Sequence, residues 1–195
     1  MSADKRNAQK RNPMMLRSVG FVKSPLKEPS LAAAHGDLSW RGRVERAAEE
    51  WDIVSEIVID AAFTGILDGV DEFSHVLVLY WAHLVSEEGR SIVKAHPMGR
   101  KDLPLVGIFT TCSPARPNPI CATVVKLLEH NGNLLTVKGL DAVDGSPVLD
   151  IKPYNPSYYP VGEVRISPWL EQIHRDLAAG SIPDPMGDEG HKHEA

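Results

Sequence analysis

The order of apolar and polar residues along the first half of the chain is typical of short β-strands. Residues 19–22 form an apolar run that is closed by Ser24-Pro25, and residues 53–59 alternate between apolar and polar side chains. Residues 73–82 (FSHVLVLYWA) are almost continuously apolar and rich in β-branched and aromatic side chains. That composition predicts a strand that is buried on both faces.

The second half of the chain continues the same pattern. Asn131-Gly132 is a strong hairpin signal because both residues tolerate a positive φ. The remaining predicted strands cover residues 91–95, 106–111, 122–129, 134–139 and 148–151. Short strands without alternating helices favour an all-β fold, a small β-barrel of about seven strands, over a doubly wound parallel sheet.

One convincing helix is predicted, and it lies near the end of the chain. Ser167 can cap it, Pro168 suits its first position and Gly180 can end it. Three apolar residues fall on one face of this helix: Leu170, Ile173 and Leu177. We therefore expect it to pack against the barrel. Residues 27–42 are predicted to form a long loop, and residues 43–51 a helical turn.

The length of 195 residues suits one domain, which we place at residues 17–180. The first 18 residues carry five basic side chains against one acid, so residues 1–16 are predicted to be a disordered basic arm. Residues 181–195 are rich in Pro, Asp, Gly and His and are predicted to be a disordered tail. Such an arm could follow a phosphate backbone, but the net charge of −5 does not identify the partner.

Several classes of protein lack support in the sequence. Two cysteines cannot form a disulfide framework, and no Cys/His cluster has the spacing of a metal site. No GxGxxG follows a strand, and no phosphate-binding GxxxxGK[ST] occurs. A signal peptide or membrane span would need a longer apolar run than any present. We therefore expect a cytoplasmic protein that binds neither metal nor membrane.

The stiffest predicted loop carries the first candidate ligand groups. Residues 114–119 (PARPNP) contain three prolines, which hold Arg116 and Asn118 on a backbone with little freedom to lose on binding. Arginine offers a planar donor fork to a carboxylate or phosphate, and asparagine can pair with an adenine edge. The alternative, weighed equally for Arg116, is an ion pair with a carboxylate of the barrel.

Acidic residues and histidines supply the other candidates. Asp141, Asp144 and Asp150 fall within ten residues, and the turn signal at residues 144–147 by itself explains Asp144 more often than a ligand does. His75 and His83 bracket the apolar strand, where a histidine is more often structural than catalytic.

Five blocks of the sequence together form the signature of a family. The two most specific blocks are residues 116–120 (RPNPI) and 144–154 (DGSPVLDIKPY). Three others support them, at residues 20–25 (GFVKSP), 69–75 (GVDEFSH) and 106–111 (VGIFTT). In their order and spacing these blocks resemble the signature of the TsaA-like, or TrmO-like, family. The similarity covers roughly residues 17–160, and the chain is identified as a member of that family.

The resemblance implies a single-domain β-barrel that dimerises and binds S-adenosylmethionine outside any Rossmann fold. Characterised bacterial members methylate the exocyclic nitrogen of threonylcarbamoyladenosine beside the anticodon of tRNA. Matched by position, the implied cofactor-binding residues are His83, Leu84, Cys112, Arg116, Asn118, Val124, Asp144, Gly145, Ser146 and Pro147. The candidates for catalysis are Asp144, Lys152 and Tyr154, and Asp150 and His75 stay open as alternatives for the base.

Two departures from the family pattern affect the expected pocket. Cys112 stands where the family usually has an arginine, and Cys121 where it usually has a glycine. Losing a charge-assisted contact would cost about 1.5–3 kcal/mol of cofactor binding. Three functions remain open at this stage: a tRNA methyltransferase, a methyltransferase for a smaller acceptor, and a cofactor-binding module without catalysis.

Overall fold

The computed structural model describes residues 14–34, 36–40, 52–159 and 162–180. The predictions for the helical turn at residues 43–51, for the tail and for most of the basic arm fall outside these residues. Within them the strands are β1 (Gly20–Lys23), β2 (Leu31–Ala34), β3 (Asp37–Trp40), β4 (Val54–Ile59), β5 (His75–Trp81), β6 (Lys94–Ala95), β7 (Val106–Gly107), β8 (Ile120–Asn131), β9 (Leu134–Lys138) and β10 (Pro147–Pro153). The helices are α1 (Glu87–Ser91) and α2 (Pro168–Ala178).

Six strands form a closed antiparallel barrel in the order β1-β10-β5-β8-β9-β4. Alternate residues point inward, as the strand period of two requires, and they fill the barrel with apolar side chains. The fully buried members include Val22, Ile57, Val76, Val78, Leu135, Val137 and Val148. The predicted barrel is therefore confirmed, although it has six strands and the remaining four form two small sheets.

The barrel closes through β1, which pairs with β10 on one side and β4 on the other. Gly20 lies opposite both Val148 and Ile59. A Cβ atom at Gly20 would come within 2.2 Å of the carbonyl oxygen of Val58, so any other residue would push β1 away from β4. Closure of the barrel thus depends on a residue without a side chain.

A second, smaller hydrophobic cluster lies beside the barrel. The hairpin β2–β3, strand β6, the residues just after α1 and β7, and the loop before β8 supply its side chains, and its buried members are Leu38, Ile92, Ala95, Ile108 and Ala115. The hairpin corrects the prediction of a long loop at residues 27–42. Its alanine-rich strand carries no alternating pattern, and its turn lies at Gly36, whose φ is +77°.

Two further strand predictions are corrected in the same region. The predicted strand at residues 91–95 is the end of α1 followed by the two residues of β6, because Ser86 caps the helix by accepting a hydrogen bond from the Gly89 amide. The predicted strand at residues 106–111 ends at Gly107. The hydroxyls of Thr110 and Thr111 then bond back to backbone carbonyls three residues earlier, which favours a turn.

Ionic contacts hold the second cluster in place. Asp37, at the start of β3, bonds to Lys101 and to His96 Nδ1, the latter at 2.7 Å. Burial alone would raise the pKa of Asp37, but the hydrogen bonds from Lys101 and His96 outweigh burial and hold that pKa well below its usual range. The partly buried carboxylate therefore stays charged and ties the hairpin to the segment after β6.

The C-terminal helix α2 begins after Ser167 with Pro168 at its first position, as predicted, although the Ser167 side chain makes no capping hydrogen bond. Ile173 is buried. Asp176 binds Arg100 at 2.5 Å, and Asp102 binds the same guanidinium at 2.6 Å. Since the Arg100 side chain is only 2 % exposed, these carboxylates compensate a buried charge and fix the helix. No helix in the described residues is long and apolar enough to cross a bilayer.

Replacing Gly20 with alanine should lower the free energy of unfolding by about 1–3 kcal/mol, because the new methyl group overlaps the β4 backbone. Gly107→Ala is the matched control, since a Cβ at Gly107 meets no atom within 4 Å. Urea denaturation of both variants measures the difference. Equal stability of the two variants would contradict the role given to Gly20.

Candidate functional site

A cavity of about 530 Å³ is lined from one side by the barrel and from the other by the second cluster. The barrel contributes residues from β5, from β8 and from the segment that leads into β10. The other wall comes from the hairpin strand β2, from the residues around the start of α1 and from the loop before β8. The lining residues are Pro29, Ser30, Leu31, Ala32, Ala33, Tyr80, Ala82, His83, Leu84, Val85, Ser86, Cys112, Pro114, Ala115, Arg116, Ile120, Cys121, Ala122, Thr123, Asp141, Val143 and Ser146.

A hydrogen-bonded carboxylate lies on the barrel side of the cavity. Asp141 Oδ1 accepts a hydrogen bond from the Tyr80 hydroxyl at 2.9 Å and from the Thr123 hydroxyl at 2.6 Å. Burial and the nearby negative charge of Asp141 raise the pKa of Tyr80 well above its usual range. Tyr80 therefore stays a neutral phenol and donates to Asp141.

Both cysteines line the cavity, and neither forms a disulfide. Cys112 is exposed, whereas Cys121 is partly buried. Burial, followed by the negative charge of Asp141, raises the pKa of Cys121 to about 11. The two thiols therefore differ in exposure, and Cys121 is a poor nucleophile at neutral pH.

Arg116 braces the proline-rich loop that forms one wall. Its Nε atom donates to the carbonyl oxygen of Ser113 at 2.8 Å, and its Nη2 atom donates to that of Thr111. Its guanidinium also lies over the ring of Phe109, with Cζ 5.9 Å from the ring centroid. These bonds go to backbone carbonyls and not to a barrel carboxylate, and they hold the cation at the cavity wall.

The turn at residues 144–147 touches the cavity through Ser146 alone. Ser146 Oγ lies 3.3 Å from His83 Nδ1, and both residues line the cavity. Asp144 lies outside the lining, where it accepts hydrogen bonds from Lys27 Nζ at 2.8 Å and from the Ser24 amide at 2.9 Å. The bond from Lys27, then that from Ser24, lowers the pKa of Asp144. Asp144 thus fastens the segment that leads into the hairpin.

Four other predicted residues lie away from the cavity lining. The side chain of Asn118 is exposed, and Val124 lies opposite Leu77 on the outward-facing side of β8. The ammonium of Lys152 pairs with Asp150 at 2.5 Å, and the ring of Tyr154 packs against that of Tyr159.

The register of β10 explains why Lys152 and Tyr154 do not reach the cavity. Lys152 lies opposite Leu77, three residues along β5 from the cavity-lining Tyr80, which corresponds to about 10 Å. The Tyr154 amide donates to the His75 carbonyl, still farther along β5.

Gly145 and Pro147 flank Ser146 without lining the cavity. The predicted residues that the cavity does bring together are His83, Leu84, Cys112, Arg116 and Ser146.

Sequence reasoning missed four parts of this site: Tyr80, Thr123, the ligand-facing position of Asp141 and the hairpin wall at residues 29–33. Tyr80 and Thr123 belong to strands whose pattern indicates only core and surface positions. The hairpin carries no polar motif at all. In the sequence Asp141 is one of three neighbouring acids, and only the folded barrel shows that Asp141 lines the cavity whereas Asp144 and Asp150 do not.

The described residues contain no group of three or more His, Cys, Asp or Glu side chains placed to hold a metal ion. The cavity instead offers hydroxyls, two thiols, one imidazole, one guanidinium and one carboxylate on otherwise apolar walls. Such a lining is typical of a site for a small organic ligand.

A family model described as the tRNA-methyltransferase O N-terminal domain matches residues 44–159. The chain belongs to the tRNA-methyltransferase O family. A "Probable S-adenosyl-L-methionine-binding protein" from Methanothermobacter thermautotrophicus is 45 % identical over 139 residues, which cover 71 % of this chain and 88 % of the relative. An "S-adenosyl-L-methionine-binding protein" from Archaeoglobus fulgidus is 41 % identical, over 73 % of this chain and 91 % of the relative.

A more distant relative and the solved structures agree with this family. The mouse (Mus musculus) "tRNA (adenine(37)-N6)-methyltransferase" is 42 % identical over 93 residues, which cover 47 % of this chain and 21 % of that enzyme. The crystal structure of TrmO from Pseudomonas aeruginosa superposes with a TM-score of 0.57 at 22 % identity, covering 90 % of this chain and 81 % of the other. At that identity the structural similarity establishes the TrmO fold.

The two cavity thiols of this TrmO-family protein should react at very different rates. At pH 8 a group with a pKa of about 11 is about one part in a thousand thiolate, so Cys121 should react far more slowly with Ellman's reagent than exposed Cys112. Cys112→Ser should abolish the fast phase, and Cys121→Ser should leave it. A fast phase that survives in Cys112→Ser would contradict this assignment.

Proposed function

We propose that the chain methylates the N6 nitrogen of threonylcarbamoyladenosine at position 37 of tRNA, in the cytoplasm, and that the cavity is its cofactor site. Membership of the TrmO family makes it an S-adenosylmethionine-dependent tRNA methyltransferase. The observation that supports this proposal most directly is that family motifs far apart in the sequence meet at the cavity. Residues 83–84, 112, 114–116 and 146 are widely separated in sequence, and all of them line the cavity.

The residues present fit S-adenosylmethionine in size and chemistry. A volume of about 530 Å³ lies within the range of roughly 300–1,000 Å³ that is usual for small-molecule sites. The lining supplies a guanidinium for a carboxylate, hydroxyls and an imidazole for ribose and amine groups, and apolar walls for an adenine ring.

S-adenosylmethionine supplies an activated methyl group on a sulfonium, so the chain's main task is to hold and orient the reactants. Arg116 is the group we propose for the cofactor carboxylate, because Cys112 cannot provide the cation that the family usually has at that position. His83 and Ser146, which lie 3.3 Å apart, are proposed to contact the cofactor together with Cys112 and Leu84. The hairpin wall excludes water from the other side of the cavity.

The turn residues contribute in a different way from the one expected. Asp144, Gly145 and Pro147 are proposed to position Ser146 by holding the turn against β1 and the hairpin, since the Gly145 amide donates to the Val22 carbonyl at 2.8 Å. Lys152 and Tyr154 lie about 10 Å or more from the cavity end of β5. We therefore propose that they contact the tRNA outside the cofactor pocket and do not act on the reacting nitrogen.

The outer face of the barrel supports a homodimer. On β5 the inward residues are fully or almost fully buried, yet the outward residues Leu77 and Leu79 are also apolar and only partly exposed. Val124 lies opposite Leu77 on the neighbouring strand, which extends the apolar strip. Apolar strips of this kind on one sheet face are typical of subunit interfaces. We propose that two copies associate through this strip.

Replacing Leu79 with glutamate should convert the dimer to a monomer, because a charge on the strip would be buried without a partner. Light scattering coupled to size-exclusion chromatography measures the mass. Thr136→Glu, which places the same charge on the outward face of β9, is the control and should leave the mass unchanged. A wild-type protein of monomer mass would contradict the proposed dimer.

Methylation of tRNA is tested with purified protein, S-adenosylmethionine and tRNA that either carries or lacks threonylcarbamoyladenosine. Mass spectrometry of the digested nucleosides should show a methyl group added only to the modified base. Cys112→Phe should lower this activity more than about ten-fold by filling the cavity mouth, whereas Asn118→Phe, exposed on the same loop, should change it less than about two-fold.

The outcomes separate the parts of the proposal. Equal methylation of unmodified tRNA would show that the threonylcarbamoyl group is not recognised. Equal activity of Cys112→Phe and wild type would place the cofactor outside the cavity. Cofactor binding without methyl transfer to either tRNA would show that neither tRNA is the methyl acceptor.

A further inference from the structure

The cavity contains one acidic side chain among the residues that the structure describes, and it is Asp141. The same lining contains one permanently charged cation, Arg116. A ligand in this cavity therefore meets a negative charge at the barrel wall and a positive charge at the proline-rich loop. Asp141 lies outside the set of residues for which the family resemblance implies a cofactor contact.

The position of the Asp141 carboxylate is fixed from two directions. Its backbone neighbours Leu140 and Ala142 are both fully buried, which anchors the chain on either side. Its Oδ1 atom accepts the hydrogen bonds from Tyr80 and Thr123, which occupy one oxygen and set the plane of the carboxylate. A group held in this way acts as a preorganised charge and does not have to reorient when a ligand binds.

The field of Asp141 already acts on its neighbours in the cavity. After burial, the negative charge of Asp141 is the largest contribution that raises the pKa of both Tyr80 and Cys121. A field that opposes a phenolate and a thiolate favours a cation at the same place. Asp144, by contrast, lies outside the lining, and its carboxylate is paired with Lys27.

We propose that Asp141 is the specificity-determining residue by which this site prefers the positively charged sulfonium cofactor to its neutral demethylated product. The inference rests on the cavity being the cofactor site, and it places the cofactor sulfur beside the Asp141 carboxylate. S-adenosylmethionine and S-adenosylhomocysteine share the adenosine and amino-acid groups, and they differ in the methyl group and the charge on sulfur. An anion beside the sulfur therefore stabilises the first and contributes little to the second.

This arrangement has a consequence for turnover. Once the methyl group has left, the sulfur is a neutral thioether and the attraction to Asp141 is lost. The product then dissociates more readily than the cofactor, which reduces inhibition by product. Tyr80 and Thr123 are positioning residues in this scheme, because they act by holding the carboxylate.

Isothermal titration calorimetry of the 195-residue chain tests the proposal with three ligands that share one scaffold. S-adenosylmethionine carries a sulfonium, sinefungin carries an ammonium at the equivalent position, and S-adenosylhomocysteine carries a neutral sulfur. The wild-type protein should bind each cationic ligand about ten-fold more tightly than the neutral one. Asp141→Asn should bring the three affinities to within about two-fold of one another by weakening the cationic ligands only.

Two variants control for unfolding and for remote charge. Asp141→Glu keeps the charge and should retain most of the preference, which shows that a loss in Asp141→Asn is not general damage. Glu87→Gln removes an exposed carboxylate beside the cavity-lining Ser86 that does not itself line the cavity, and it should leave the ratio of affinities unchanged. Thermal denaturation of each variant verifies that it is folded.

The remaining outcomes overturn the proposal and separate it from the cofactor site itself. An unchanged ratio in Asp141→Asn, or an equal loss of affinity for all three ligands, would show that Asp141 does not sense the charge on sulfur. If Asp141→Asn has no effect but Cys112→Phe abolishes binding, the site stands and the role of Asp141 is wrong. If neither variant affects binding, the cofactor lies elsewhere.

Discussion

Close contact between three backbones at Gly20 is the constraint on which the rest of the structure depends. β1 can pair with both β4 and β10 only because Gly20 has no side chain to strike the Val58 carbonyl. The end of β1 then holds the turn before β10, since the Val22 amide donates to the Ser146 carbonyl and the Gly145 amide donates back to Val22. Closure of the barrel therefore also builds one wall of the cavity.

The cavity exists because the chain has two hydrophobic clusters and not one. The barrel interior is filled by its own side chains, so it leaves no room for a ligand. The second cluster, built on the hairpin and on the segments that follow α1 and β7, lies beside the barrel and is tied down by Asp37 and by the buried guanidinium of Arg100. The ligand space forms where the walls of these two units face each other, with rigid groups on both sides.

Charged side chains in this protein are used mainly to hold its parts together. Asp144 fastens the hairpin segment, Asp37 fastens β3, and Arg116 uses two of its nitrogens on the loop that carries it. These contacts explain how a proline-rich loop and an alanine-rich hairpin keep a defined position. They also make the cavity-lining carboxylate of Asp141 distinct, because its hydrogen-bond partners Tyr80 and Thr123 are neutral hydroxyls that do not neutralise its charge.

The sequence by itself determined the barrel strands, the helix at residues 168–178, the family and the cofactor, because alternating apolar residues, the Pro168 start and the two specific motifs are local signals. It also placed His83, Cys112, Arg116 and Ser146 in the candidate site. Only the tertiary structure separated Asp141 from Asp144 and Asp150, showed the hairpin wall, and moved Lys152 and Tyr154 away from the cavity. The physical reason is that these distinctions depend on strand register and barrel closure, which join residues more than a hundred positions apart and leave no periodic pattern in the sequence.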